Sequence, residues 1–251
     1  MLIKWNVTIP PLSGTEPRKA YIWVPDDSCK DPDKRYPVMY MFDGHNIFLD
    51  EYAAFGKSWG MYDFMNYTRK DLIIVAVECN HTGNNRLSEY SPFTYRNAAH
   101  GHIPGKGPVM LSWMVHALKP YVDAHLPTLP QREHTIIAGS SMGGLIALQG
   151  VLAYNHVFQK AACLSPSLWV SPFQSLAMIA KAKIASDTTI YMDYGQLEIP
   201  NHKENPFVLN RAVSLLQRKG ANLSFRIIPN GSHCEASWEK QVPIFMECLG
   251  L

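Results

Sequence analysis

The chain alternates between short apolar runs and longer segments with helical spacing. Near-continuous apolar stretches at Pro37 to Phe42, Leu72 to Val77, Thr135 to Ala138, Lys160 to Leu164, Thr188 to Met192 and Leu223 to Ile228 predict strands buried on both faces. Between them, apolar positions recur with helical periodicity at Trp59 to Thr68, Val109 to His125, Leu145 to Tyr154, Pro206 to Arg218 and Ser237 to Cys248. Strands that alternate with helices predict a mostly parallel sheet covered on both faces. Two earlier runs, Ile3 to Ile9 and Lys19 to Val24, are joined by a Pro/Ser/Gly turn at Pro10 to Gly14, with no helix between them. They predict an antiparallel edge. The alternation never breaks, so residues 1–251 read as one α/β domain. The long segment Cys79 to Gly107 carries Asn-Asn, Ser-Pro and Pro-Gly punctuation and predicts an irregular loop. A loop of that length is functional or mobile, and in an α/β fold it lies over the strand C-termini where ligands bind.

The strand Thr135 to Ala138 runs directly into Gly139-Ser140-Ser141-Met142-Gly143-Gly144, and a helix follows. A G-x-S-x-G serine on a strand-to-helix turn is the nucleophile elbow of α/β-hydrolases. Its glycines let strand and helix pass closely, and the helix N-terminus favours developing negative charge. Serine needs a base, and the base needs an orienting acid. The histidines after Ser141 are His156, His202 and His233. His156 ends the elbow helix and His202 lies in a polar loop. His233 follows the last strand in Pro229-Asn230-Gly231-Ser232-His233, where a hydrolase base belongs. After the strand Thr188 to Met192, both Asp193 and Glu198 qualify as the acid. Asp193 sits at the strand end, while Glu198 lies on the loop with freedom to reach His233. Two amides must hold an oxyanion. Met142 supplies one. The loop Asp43-Gly44-His45-Asn46 aims the other, from His45, with Gly44 making the turn and Asp43 accepting backbone hydrogen bonds. Trp169, just past a strand C-terminus, is the tryptophan best placed to bind substrate. Trp59 and Trp113 read as core.

Composition narrows the partners. Of the residues, 47% are hydrophobic and 18% charged, as in a globular protein with a substantial core. A net charge of +2 without a basic run gives no field for nucleic acid or a membrane surface. No segment approaches the ~20 apolar residues of a membrane helix. The start, Met1 to Val7, alternates like a strand and lacks a signal peptide's apolar region. Five cysteines, widely spaced and without C-x-x-C, suggest free thiols in a reducing cytoplasm. His100-Gly101-His102 has metal-compatible spacing but no carboxylate or cysteine close by, and Gly105-Lys106-Gly107 is too short for a phosphate loop. No metal or organic cofactor is expected.

Segments in order along nearly the whole chain carry a family likeness. They are Tyr36 to Gly44, Glu89-Tyr90-Ser91-Pro92, Leu118 to Asp123, Gly139 to Gly144, and Gly231-Ser232-His233 with Trp238 behind it. With these the chain resembles the esterase family of α/β-hydrolases that includes S-formylglutathione hydrolases, feruloyl esterases, enterochelin-type esterases and mycolyltransferases. The resemblance implies an α/β-hydrolase fold with antiparallel N-terminal strands. It implies Ser141 as nucleophile, His233 as base, Glu198 as acid and the His45 amide in the oxyanion hole. Many members carry Asp at the acid position. The expected activity is hydrolysis of a short acyl or aryl ester, such as an acetylated or feruloylated sugar, through an acyl-enzyme. Acyl transfer to an alcohol by the same residues is the alternative, and a ligand-binding member without catalysis is a second. The expected partner is a small ester, with neither nucleic acid nor membrane; association into a homo-oligomer is left open.

Overall fold

The computed structural model of the chain describes residues 1–29, 31–97, 100–201 and 206–251. Eight strands form its main sheet: β1 (Leu2–Thr8), β2 (Pro17–Trp23), β3 (Val38–Phe42), β4 (Ile73–Val77), β5 (Thr135–Ser140), β6 (Lys160–Leu164), β7 (Thr189–Gly195) and β8 (Asn222–Ile228). They lie in the order β1-β2-β4-β3-β5-β6-β7-β8. β2 runs antiparallel to both β1 and β4, and every other pairing is parallel. This is the α/β-hydrolase architecture expected from the sequence.

The pleat divides the core. Val38, Tyr40 and Phe42 of β3 point to one face, where they join Met110, Leu111, Leu148, Ile179 and Leu209 from helices. Met39 and Met41 point to the other, with Met61, Met65, Trp238 and Phe245. The alternate residues of one strand thus feed two apolar layers, and β3 and β4 are apolar at every position for that reason.

The helices longer than four residues are α1 (Met61–Thr68), α2 (Asn85–Tyr90), α3 (Gly107–Trp113), α4 (Lys119–His125), α5 (Met142–Ala153), α6 (Pro172–Lys181), α7 (Pro206–Arg218), α8 (Glu235–Glu239) and α9 (Val242–Cys248), and a single turn, Glu198–Asn201, follows β7. A π-helical turn, Met114–Leu118, joins α3 to α4. Pro120 explains it: proline has no N–H to donate and its ring crowds the carbonyl four residues back, so the helix widens rather than breaks. The C-terminal helix divides in two for a related reason, with Pro243 in the first turn of α9. α6 has no counterpart in the periodicity reading. Its start was marked by Ser171-Pro172, with proline in the first turn. The expected turn at Pro10 is a short helix, Pro10–Ser13. The expected irregular loop holds α2 and a two-stranded ribbon, Tyr95–Asn97 with Gly101–Ile103.

Register lines up the catalytic edge. Ser140 pairs with Leu164, Leu164 with Asp193, and Arg226 with Asp193. The loops that follow these parallel strands therefore leave the same edge side by side.

Candidate active site

Ser141 takes φ 57° and ψ −124°, a strained conformation for a residue with a Cβ. Its surroundings hold it there. Its N–H donates to Leu164 O at 2.9 Å, and its carbonyl accepts the amides of Leu145 at 3.0 Å and Ser167 at 3.1 Å. A Cβ on Gly139 would lie 2.5 Å from the Gly143 carbonyl oxygen, so only glycine allows β5 and α5 to cross this closely.

His233 leaves β8 through a turn and reaches back to the serine. Its Nε2 is 2.8 Å from Ser141 Oγ, and its Nδ1 is 2.8 Å from Glu198 Oε2. Glu198 Oε1 accepts the Ser165 hydroxyl at 2.7 Å and the Gly195 N–H at 2.7 Å. Burial works to raise the Glu198 carboxyl, but hydrogen bonds from His233, Ser165 and Gly195 outweigh it and hold the group below the usual glutamate range. An ionised carboxylate can only accept, so Nδ1 carries the ring hydrogen and Nε2 is left to accept from Ser141. Trp238 supports the arrangement twice. Its Nε1–H donates to Ser165 Oγ at 3.0 Å, and its ring meets the His233 ring edge-on at 5.1 Å. A Cβ on Gly195 would lie 2.4 Å from the Gly231 carbonyl, so the segments bearing Glu198 and His233 touch backbone to backbone.

Of the two candidate acids, Glu198 is therefore the one brought to His233. Asp193 turns inward. Its Oδ1 accepts the Ser165 amide at 3.1 Å and its Oδ2 accepts the Tyr191 hydroxyl at 2.8 Å. Burial pushes its carboxyl up to about 7. His156 is exposed at the end of α5 beside Tyr154, and His202 lies outside the described residues.

The turn after β3, Gly44–Asn46, brings the His45 amide to the same edge. The expectation for its neighbours needs correcting. Asp43, not Gly44, takes the left-handed conformation, at φ 56°. Gly44 is required for space, because a Cβ there would lie 2.5 Å from the Ala76 carbonyl oxygen. The Asp43 carboxylate accepts a two-point ion pair from Arg86 of α2, Nε to Oδ1 at 2.7 Å and Nη2 to Oδ2 at 2.8 Å, in place of backbone amides. Asn46 Nδ2 donates to Glu235 Oε1 at 3.0 Å, tying the turn to the segment after His233. The Met142 amide opens α5, where helical N–H groups have no partner within the helix. Neither this amide nor that of His45 donates to a described residue.

Trp169 stands on the turn Leu168–Val170 with 38% of its surface exposed, two residues after Ser167, whose hydroxyl is 3.4 Å from that of Ser141. Trp59 and Trp113 are buried in the two core layers, as expected. Sequence reasoning missed Ser165, Arg86 and Glu235. Each acts through a partner distant in the chain, and none carries a local motif.

A family model described as "Putative esterase" matches residues 13–243. The "Uncharacterized protein YbbA" of Bacillus subtilis (strain 168) is 22% identical over 165 residues, which cover 65% of this chain and 62% of that protein. Among solved structures, a ferulic acid esterase superposes with a TM-score of 0.70 at 15% identity, over 99% of this chain and 98% of its own. An S-formylglutathione hydrolase from Agrobacterium tumefaciens superposes with a TM-score of 0.70 at 14% identity, over 100% and 96%. No helix among the described residues is long and apolar enough to cross a membrane.

Proposed function

The chain belongs to the Putative esterase family, and from that premise we propose that it hydrolyses carboxylic esters through a Ser141 acyl-enzyme. The observation that carries the reading is the unbroken relay from Ser141 Oγ through His233 to Glu198, with 2.8 Å at each step. His233 Nε2 takes the Ser141 proton as Oγ attacks the ester carbonyl. The amides of Met142 and His45 receive the oxyanion. The tetrahedral intermediate then expels the alcohol, which takes the proton from Nε2. Water repeats the sequence on the acyl-enzyme and frees the acid. Glu198 holds the tautomer and balances the imidazolium.

For the substrate we propose a short acyl or aryl ester, with sugar esters as the first class to try. Two exposed apolar side chains support this choice. Trp169 follows Ser167, and Leu197, 46% exposed, precedes Glu198. They offer an apolar footing beside the relay. The free thiols of Cys79, Cys163, Cys234 and Cys248 support a reducing, cytoplasmic setting.

A fluorophosphonate probe tests the nucleophile. Folded protein is expected to label at Ser141 and Ser141→Ala to remain unlabelled; absence of label on the folded wild type sinks the proposal. p-Nitrophenyl esters of rising chain length, run beside acetylated and feruloylated sugars, then rank the acyl groups.

A further inference from the structure

We propose that His45, Cys79 and His81 form a binding site for a zinc-class divalent ion on the flank of the oxyanion turn. One ligand atom from each residue lies within 4.8 Å of the other two. Around tetrahedral zinc, with Zn–N of about 2.0 Å and Zn–S of about 2.3 Å, ligand atoms stand about 3.5 Å apart. Cys79 Sγ and His81 Nδ1 are already 3.8 Å apart. Closure of about an ångström completes the set, and His81, whose side chain is 56% exposed, is free to supply it.

Two further observations point to a ligand. His45 is 94% buried (6% exposed), yet its Nδ1 has no hydrogen-bond partner among the described residues. A buried ring nitrogen without a partner loses its desolvation free energy unless something occupies that direction. In addition, His81 Nε2 lies 3.6 Å from Glu78 Oε2. That carboxylate stands on the ring nitrogen remote from Cys79, the side from which second-sphere carboxylates support metal-bound histidine; at 3.6 Å it is a charge contact and not a hydrogen bond. Two imidazoles and a thiolate suit zinc, cobalt or copper and not magnesium or calcium, which need oxygen ligands. Asp43 is close, but its carboxylate is paired with Arg86 and also accepts from the Cys79 thiol, so it is not counted among the ligands. On binding, the Cys79 thiol loses its proton to solvent as the sulfur–metal bond forms. The ion would then join the end of β4 to the turn that carries the His45 amide. The inference rests on the side chains alone and holds whether or not the chain is an esterase.

Cobalt makes the test direct, because a cobalt–thiolate bond has a charge-transfer absorption that nitrogen and oxygen ligands lack. The full chain, reduced and stripped with a chelator, is titrated with Co²⁺, then with Zn²⁺, with Mg²⁺ as control. The expected result is one equivalent of Co²⁺ with a thiolate band, displaced by Zn²⁺, and no response to Mg²⁺. Cys79→Ser is expected to lose the band. His81→Ala, at an exposed position, is expected to keep the fold and weaken Zn²⁺ by at least the ~10- to 100-fold that disturbing a metal's surroundings alone costs. Absence of the band in the wild type, its persistence in Cys79→Ser, or unchanged Zn²⁺ affinity in His81→Ala each overturns the proposal. Should Cys79→Ser misfold, the His81→Ala titration decides by itself.

Discussion

The Ser165 hydroxyl donates to Glu198 Oε1 at 2.7 Å, on the carboxylate oxygen that His233 does not use. Ser165 reaches it from a positive φ of 42°, and its own oxygen is filled by the Trp238 indole. It is a positioning residue for the acid. Ser165→Gly suits the positive φ and removes the hydroxyl together with its Cβ. We expect kcat to fall roughly 10-fold with KM little changed, since a charge-assisted hydrogen bond of about 1.5–3 kcal/mol is lost partly to orientation of the base. Steady-state kinetics on a p-nitrophenyl ester separates the two constants. A drop confined to KM would place Ser165 in substrate binding instead.

The two carboxylates near the relay should part cleanly on mutation. Glu198→Gln presents Nδ1 with an amide, and turnover is expected to fall by about 10³–10⁴, the cost of losing an orienting acid. Asp193→Asn should keep activity within about 10-fold, because its partners are the Ser165 amide and the Tyr191 hydroxyl. The opposite ranking would reassign the acid.

Asp193 also makes a stability prediction with a definite sign. Its folded pKa of about 7 lies above the ordinary 3.8. Between those values the unfolded chain has lost the proton and the folded chain has kept it, so stability falls as pH rises from about 4 to about 7. Above that window the loss is complete. Asp193→Asn cannot ionise. Relative to wild type it should gain roughly 2–3 kcal/mol between pH 5 and pH 8. Urea unfolding at the two pH values measures the difference, and parallel pH dependences would refute it.

Arg86 should matter for both stability and chemistry. Its removal leaves the Asp43 carboxylate, 4% exposed, without its counter-charge. The guanidinium is 31% exposed, so Arg86→Ala should cost about 1–3 kcal/mol, less than a fully buried pair. Asp43 begins the turn that carries the His45 amide. Turnover should therefore drop by more than any change in KM, and thermal unfolding with kinetics on the same sample checks both.

The sheet was legible because its central strands are near-continuous apolar runs, and the elbow because Ser141 sits in a local motif between a strand and a helix. His233 was legible by its place after the last strand. Glu198 against Asp193 was a choice between two plausible acids, and side-chain direction, which sequence does not carry, separates them. The Asp43–Arg86 pair spans 43 residues and the Ser165–Glu198 bond spans 33. No local pattern announces such contacts; they arise only when loops from different strands meet at one edge. α6 went unread although its amphipathic pattern is no weaker than that of α1; the proline that opens it is the mark the sequence offered.

Glu198 receives three donors, from His233, Ser165 and Gly195. If it took a proton, one of those donors would be left facing a neutral acid. The far end of the relay is therefore a fixed anion and not a proton reservoir. In the proposed reaction each step moves a single hydrogen, between His233 Nε2 and the oxygen of Ser141, the leaving alcohol or water. Rates in mixed light and heavy water should then vary linearly with the deuterium fraction, and a bowed plot would mean that the carboxylate shares in the transfer.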